Sequence, residues 1–495
     1  MKTIKLMLLS LLVLPAVNGQ VPGKKRIDQS ITLSESEFQL RFLASDELKG
    51  RDTGSSGIDV AARYIAEKFR LYGLTPLPGA DDGYFQTVKL QETYPPEKGQ
   101  LVLGNDRFEQ GKELLVLRGS GIKLDTEVVF ANYGLEADLE GLDLKDKILV
   151  VKAGSTEATN PRQFFGLIGT KQQLAKSMGA AAVVELYNSP AIPWPMLLNY
   201  LNQPQLGVDK DEKEQKELPY IWLQDSQNDQ LVAFKENKIS KASLEISDLV
   251  KKPIPARNVL GMIEGTDEKL KNEFLLLSAH YDHVGVGQSS DPNDSIFNGA
   301  RDNAIGTVAV LSAAKTLGAN PPKRSVIFAA WTAEEKGLLG SDYYAENPLV
   351  PLDQTIYNLN IDGAGYNDTT VITVIGLERT SAEQHIKEAA QNYGLTAIAD
   401  PAPEQGLFDR SDNVSFAKKG IPAPTYSTGF TSFDEEIMKY YHQVTDEPDG
   451  LHFNYLLSYF RAYVLTASKI ANDKKRPFWI EGDKYEVAGK ELYGK

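Results

Sequence analysis

The chain contains no cysteine among its 495 residues. That single absence excludes disulfide stapling, thiolate metal ligation and cysteine nucleophiles, so the fold rests on its apolar core alone. Histidine is nearly as scarce, with five residues at positions 280, 283, 385, 442 and 452, and any clustering of them is informative. Basic charge is also in deficit: 53 Lys and Arg face 67 Asp and Glu, for a net charge of −14. An acidic surface argues against nucleic acid and anionic membrane as partners.

Long apolar runs are missing too. The run LMLLSLLVLPAV from Leu6 is too short to span a bilayer, which takes ~20 residues. Preceded by Lys2 and Lys5 and followed by VNG before Gln20, it predicts a secretory signal peptide over residues 1–19 and an exported, periplasmic or secreted protein. No cysteine stands at the cleavage point to take a lipid. Removal of that segment takes away two lysines and no acid, moving the net charge from −14 to −16.

What remains is an ordinary globular composition, 42% hydrophobic and 24% charged, long enough for two or three domains. Residues 34–73 hold two helical patterns. One opens after Ser34 with Glu37 at capping-box spacing; the other carries Ile58, Ala61, Tyr64, Ile65 and Phe69 on one face, with the loop GRDTGSSG between them. From 119 to 250 the texture changes to short strands, a helix in QLAKSMGAAAVVELYNS, a loop-rich excursion and the charged turn KDEKEQKE. This stretch has no histidine and reads as a non-catalytic insert. After the linker KKPIPARN, apolar strands alternate with helices. That pattern predicts an α/β domain whose mostly parallel or mixed sheet is covered by helices on both faces, with its site at the carboxyl ends of strands.

The polar residues stand at those ends. FLLLSA runs into His280-Tyr281-Asp282-His283, NGARDNAIG carries Asp302, SVIFAAWT delivers Glu334 and Glu335, NLNIDGAG delivers Asp362, and KYYHQVTDEP delivers His442. On an extended segment His280 and Asp282 share a side, so the carboxylate can accept the second imidazole N–H. Taken alone, each fragment has an ordinary explanation, Asp302 for example as a helix N-cap. Together, two imidazoles and three carboxylates form a donor set suited to zinc or a similar divalent ion, enough for two if one carboxylate bridges. Adjacent glutamates on a strand would point in opposite directions and so could not share one role.

LSAHYDHVG, NGARDNAIG, WTAEEKGLLGS, NLNIDGAG and YHQVTDEP, in that order, resemble the M28 family of zinc exopeptidases, and the likeness covers nearly all of residues 34–470. It implies a discontinuous peptidase domain (20–118 and 251–471), an insert (119–250) resembling a protease-associated (PA) domain, and a C-terminal extension (472–495). It implies two zinc ions per chain, one on His280 and Asp362, the other on Glu335 and His442, with Asp302 bridging. Glu334 would act as general base on a metal-bridging water, Asp282 would support His280, and Tyr441 would help hold the oxyanion. A cis peptide is expected after Asp302.

Two departures stand out: Arg301 beside the bridging aspartate, and Asn413 in RSDNVSFAKKGIP where many relatives carry His. His283 is expected to be a neighbour of the site and not a ligand, and His385 and His452 helix-surface or packing residues. The function implied is an aminopeptidase acting on peptides with a free N-terminus. Within the same fold a carboxypeptidase or dipeptidase would need a basic group for a substrate carboxylate, for which Arg301 and Arg410 are candidates. A single-zinc glutaminyl cyclotransferase is a further alternative, and a non-catalytic binding protein the remote one.

Overall fold

The computed structural model describes residues 23–158, 161–189, 192–209, 217–289 and 291–494. The signal-peptide expectation and most of the turn KDEKEQKE lie outside the described residues. The chain divides into two units, Met1–Val88 with Pro255–Lys495, and Lys89–Ile254.

In the first unit seven strands form the part of the sheet that matters for function: β1 (Lys251–Ile263), β2 (Phe274–His280), β3 (Ser325–Trp331), β4 (Thr355–Ile361), β5 (Val371–Ile375), β6 (Thr396–Ile398) and β7 (Thr425–Ser427), in the spatial order β6-β5-β7-β4-β2-β3-β1. β2 pairs in parallel with both β3 and β4, while β1 runs antiparallel to β3. The sheet is therefore mixed with a parallel centre, as the alternation of apolar strands and helices predicts.

Alternate residues of β2 go to opposite faces. Leu275, Leu277 and Ala279 pack with helices α2 (Ile305–Ala319) and α3 (Phe453–Asn472), whereas Phe274 and Leu276 join a second cluster with Trp331, Tyr344 and Phe416. Both faces are covered, which is why these strands read as unbroken apolar runs. α2 is apolar nearly all round and buries residues on every side, from Ile305 to Leu317. Helix α1 (Ser56–Leu71) buries Ile58, Ala61, Ile65 and Phe69, and Ser55 caps it by accepting the Ile58 N–H at 3.4 Å.

The helix before α1 departs from the capping-box expectation. It runs Leu33–Leu43 with Thr32 at its N-cap and no side-chain cap bond; Glu37 instead pairs with Arg41 one turn on, at 2.9 Å.

The second unit holds an eight-stranded sheet and begins at Lys89, not at residue 119 as the sequence pattern suggested. The reason is pairing: Gly99–Leu103 and Leu114–Arg118 hydrogen-bond to Lys241–Ile246 and Tyr220–Gln224, so the early strands belong to the insert's own sheet. Its core includes Leu149, Val151, Val183 and Trp222. In the first unit the strand that leads into the insert lies beside the one that returns, with Leu260 N–H donating to Tyr84 O at 2.7 Å. Within the insert Tyr94 N–H donates to Val250 O at 2.9 Å.

The C-terminal extension folds back on the first unit. Trp479 bridges Thr380 in an antiparallel pair, and helix α4 (Glu486–Leu492) follows. Among the described residues, no helix is long and apolar enough to cross a membrane.

Candidate metal centre

The register of the sheet decides which side chains meet. His280 at the end of β2 stands opposite Trp331 of β3, and Ala279 stands opposite Ile361 of β4. Whatever follows Trp331 and Ile361 therefore emerges beside His280, at the carboxyl edge of three adjacent parallel strands. Asp362 follows directly. Asp302 comes from the turn before α2, where Asn303 ties that turn to β4 by donating to Ile361 O at 2.9 Å. The peptide between Asp302 and Asn303 is cis, as expected.

Two triads result, (His280, Asp302, Asp362) and (His283, Asp302, Glu335), each with its ligand atoms within 4.8 Å of one another. His280 Nε2 lies 3.1 Å from Asp302 Oδ1 and 3.3 Å from Asp362 Oδ1. His442 Nε2 lies 3.3 Å from Asp302 Oδ2 and 3.1 Å from Glu335 Oε2. Asp302 thus turns one oxygen to each imidazole. His283 is closer than a mere neighbour: its Nδ1 lies 2.7 Å from Glu335 Oε1. That contact occupies the oxygen His442 does not face. His385 pairs with Asp473 on the surface, and His452 packs edge-on against Tyr366, both away from the centre.

The two glutamates do not lie on the strand. β3 ends at Trp331, Ala333 has φ 55°, and Glu334 and Glu335 sit in the turn that follows. Their separation comes from this turn, so the strand-alternation reading is corrected. Asp282 holds the turn: its Oδ1 accepts the Glu334 N–H at 3.1 Å and its Oδ2 the Glu335 N–H at 3.2 Å. The same carboxylate is 3.8 Å from His280 Nδ1, too far for a hydrogen bond, whereas the Asp282 backbone O is 3.2 Å away. His280 is thus oriented by the main chain of residue 282, and the Asp282 side chain serves the glutamates.

Electrostatics follow from crowding. Burial pushes Asp302 up, but hydrogen bonds from His280 and His442 win and hold it well below the usual carboxylate range. Glu335 is likewise pushed up by burial, and its His283 and His442 partners bring it down to about 2. Glu334 is raised well above its ordinary value, chiefly by burial and then by Asp362 and Asp412. Burial also lifts Asp282 to about 6 and Asp412 to about 8. Burial alone would lower the imidazoles, yet the carboxylates raise His280 well above its usual value and His442 to about 10. A set of acids that holds two imidazoles protonated is one that calls for positive charge between them, and divalent ions fit these oxygen and nitrogen donors.

Three residues not singled out by sequence reasoning support the centre. Arg51, fully buried in the GRDTGSSG loop, makes no ion pair among the described residues. It donates to the carbonyls of Tyr281 (2.8 Å), Asn298 (2.7 Å), Gly299 (3.0 Å) and Leu43, stapling the two loops that carry His283 and Asp302. Asp446 accepts from the N–H groups of Arg301 (3.0 Å) and Asp302 (3.2 Å) and from the Arg301 guanidinium (3.0 Å). Asp412 lies buried one residue before Asn413. Asn413 itself is spent on the carbonyls of Phe408 and Ala423, both at 3.2 Å.

The centre opens on a cavity of about 450 Å³, whose lining includes the acidic Asp302, Glu334, Glu335 and Asp362 and the apolar Ile375, Leu407, Phe430 and Phe433. Tyr441 and Arg410 also line it; the Tyr441 ring stacks on His442 at 4.1 Å, and Arg410 donates to the Tyr441 hydroxyl at 3.0 Å. Arg301 is absent from its walls: buried against Asp446, it lies under the Tyr440 ring at 3.6 Å.

Fold and donor set together define an α/β domain built around a carboxylate–imidazole metal centre. Residues 258–465 match Peptidase family M28. It is 24% identical over 442 residues, 84% of this chain and 82% of the other, to aminopeptidase YwaD of Bacillus subtilis (strain 168). A probable leucine aminopeptidase 2 of Aspergillus fumigatus is 31% identical over 187 residues, 36% of this chain and 34% of that protein. Among solved structures, an aminopeptidase from Aneurinibacillus sp. strain AM-1 shares the fold with a TM-score of 0.57 at 20% identity, covering 92% of this chain and 97% of that one.

Proposed function

We propose that this chain is an exported zinc aminopeptidase that uses two metal ions to hydrolyse the first peptide bond of substrates with a free N-terminus. The observation that carries the reading is Asp302 set between His280 Nε2 and His442 Nε2, at 3.1 and 3.3 Å, with Asp362 beside the first imidazole, Glu335 beside the second, and Glu334 lining the same cavity. The similarity to aminopeptidases supports the reaction class. Export rests on the sequence of residues 1–19 alone.

His280 and Asp362 would hold one zinc, Glu335 and His442 the other, and Asp302 both. His283 would orient Glu335 through Oε1. Zinc bound there supplies Lewis acidity and a water of lowered pKa. The Glu334 carboxylate takes a proton from the attacking water and returns it to the leaving amine. Burial, Asp362 and Asp412 raise its proton affinity, which favours holding the proton between the two halves of that transfer. Asp282 fixes the Glu334 main chain so that the base does not drift from the attack site. The Tyr441 hydroxyl, held by Arg410, is the donor for charge developing on the carbonyl oxygen. The acidic wall receives the substrate ammonium, and the apolar wall receives the first side chain. The insert, without histidine, contributes no ligand and is read as PA-like.

One observation keeps a dipeptidase reading in play. Of the two arginines considered for a substrate carboxylate, Arg301 is committed to Asp446, whereas Arg410 lines the cavity. A panel of aminoacyl 4-nitroanilides, N-blocked analogues and free dipeptides, with zinc content measured in parallel, decides between them. Turnover of free aminoacyl substrates and none of N-blocked ones is expected. Turnover confined to dipeptides, or of N-blocked substrates alone, overturns the aminopeptidase reading.

A further inference from the structure

The C-terminal extension ends far in sequence from every donor, yet its side chains converge on one short segment, Leu407–Arg410, and that segment is a wall of the cavity. Leu407, Asp409 and Arg410 line it, while Phe408 points the other way and is buried. The extension grips Phe408 and Asp409. Phe408 stacks on Tyr485 with ring centroids 6.0 Å apart and meets Trp479 edge-on at 6.3 Å. The Arg379 guanidinium lies 3.9 Å from the Phe408 ring and is itself fixed by Asp483, through bonds of 2.6 and 3.0 Å. Asp409 accepts from Lys484 Nζ at 2.9 and 3.0 Å and from the Tyr485 hydroxyl at 3.4 Å. The arm is anchored in turn by Trp479 Nε1 donating to Gly420 O at 3.0 Å and by Tyr493 donating to Thr355 O at 2.6 Å.

We propose that this arm, residues 478–493, is a positioning element of the substrate site: by clasping Phe408 and Asp409 it sets where Leu407 and Arg410 stand, and so sets selectivity for the substrate side chain. The inference rests on the aminopeptidase reading of the cavity and adds to it a determinant outside the family-matched residues 258–465. Two arguments favour a selective over a merely stabilising role. The clasp acts on a segment that carries no zinc donor, so the metal centre is bypassed. Lys484 pairs with Asp409, which leaves Arg410 as the charge of this segment without an ion-pair partner among the described residues.

The test uses the full chain with Tyr485→Ala, the double variant Lys484→Ala/Tyr485→Ala, the conservative Tyr485→Phe, and Val487→Ala on the exposed side of the arm as control. Leucyl and alanyl 4-nitroanilides are compared, with zinc content and Tm measured for each variant. Loss of one aromatic contact should raise KM for the leucyl substrate about two- to tenfold. The alanyl KM, kcat and zinc content should stay within about twofold, because neither a small side chain nor the metal centre depends on the wall. Tyr485→Phe keeps the ring and should restore the leucyl KM, and Val487→Ala should match the wild type. An unchanged leucyl-to-alanyl ratio in the folded double variant overturns the proposal, as does an equal loss on both substrates that tracks Tm. A wild type inert on every aminoacyl substrate overturns the aminopeptidase reading and this inference with it.

Discussion

Replacing Asp282 by Asn separates two roles for one carboxylate. If Asp282 acted by orienting His280, the substitution would weaken zinc at that imidazole. The geometry assigns it elsewhere, because its oxygens accept the amides of Glu334 and Glu335 at 3.1 and 3.2 Å and stand 3.8 Å from His280 Nδ1. Asn is nearly isosteric, keeps one acceptor oxygen and turns an NH2 donor against the second amide. One hydrogen bond to a buried charge is lost, worth ~1.5–3 kcal/mol. At 1.4 kcal/mol per decade that is a fall in kcat of about 10- to 150-fold, provided the strain falls on the glutamate turn. The backbone O of residue 282 remains, so the His280 contact survives. The assay is kcat on an aminoacyl 4-nitroanilide beside zinc titration with a chromophoric chelator. Retention of full kcat would refute the assignment. So would loss of one zinc with normal turnover by the fully loaded fraction, since that pattern belongs to a carboxylate working through His280.

Glu334→Gln should lower kcat by roughly 10²–10⁴ while both zinc ions stay bound, and unchanged turnover would remove Glu334 from the proton path. In the metal-free protein the raised pKa values of His280 and His442 keep both protonated at neutral pH. Metal must displace those protons, so affinity should climb with pH until about 10, where His442 is released. Calorimetry at pH 7 in buffers of different ionisation heat should show the proton release, and identical heats would contradict the pairing. His283→Ala should weaken metal at the Glu335 position by about 10- to 100-fold without abolishing it, whereas His442→Ala should abolish it. Equal losses in the two variants would make His283 a ligand.

The parallel strands and the donors at their ends were legible because each donor follows an unbroken apolar run, and a strand covered on both faces cannot end inside the core. His280, Asp302, Glu335, Asp362 and His442 do come together as that pattern implied. What escaped was support that acts through the main chain. Arg51 recognises carbonyls, and carbonyls are the same at every position, so no residue pattern announces it. Asp446 lay inside a quoted motif but was overshadowed by His442; the signal available was Arg301, a buried cation that needed a partner. The glutamate turn was misread as strand because the positive φ at Ala333 has no glycine to advertise it. The early boundary of the insert was missed because its first strands alternate like any others, and only pairing partners tell to which sheet they belong.

The side-by-side course of the strands entering and leaving the insert has an implication for how such a chain can change over time. Because the departing and returning strands are already bonded at Tyr84 and Leu260, the peptidase sheet closes on itself whatever lies between Val88 and Pro255. Closing a flexible loop costs only ~0.6 kcal/mol more for each doubling of its length. The segment between is thermodynamically a replaceable detour, free to be lengthened, swapped or cut to a short turn. The metal centre, whose every donor lies after residue 255, would be left intact.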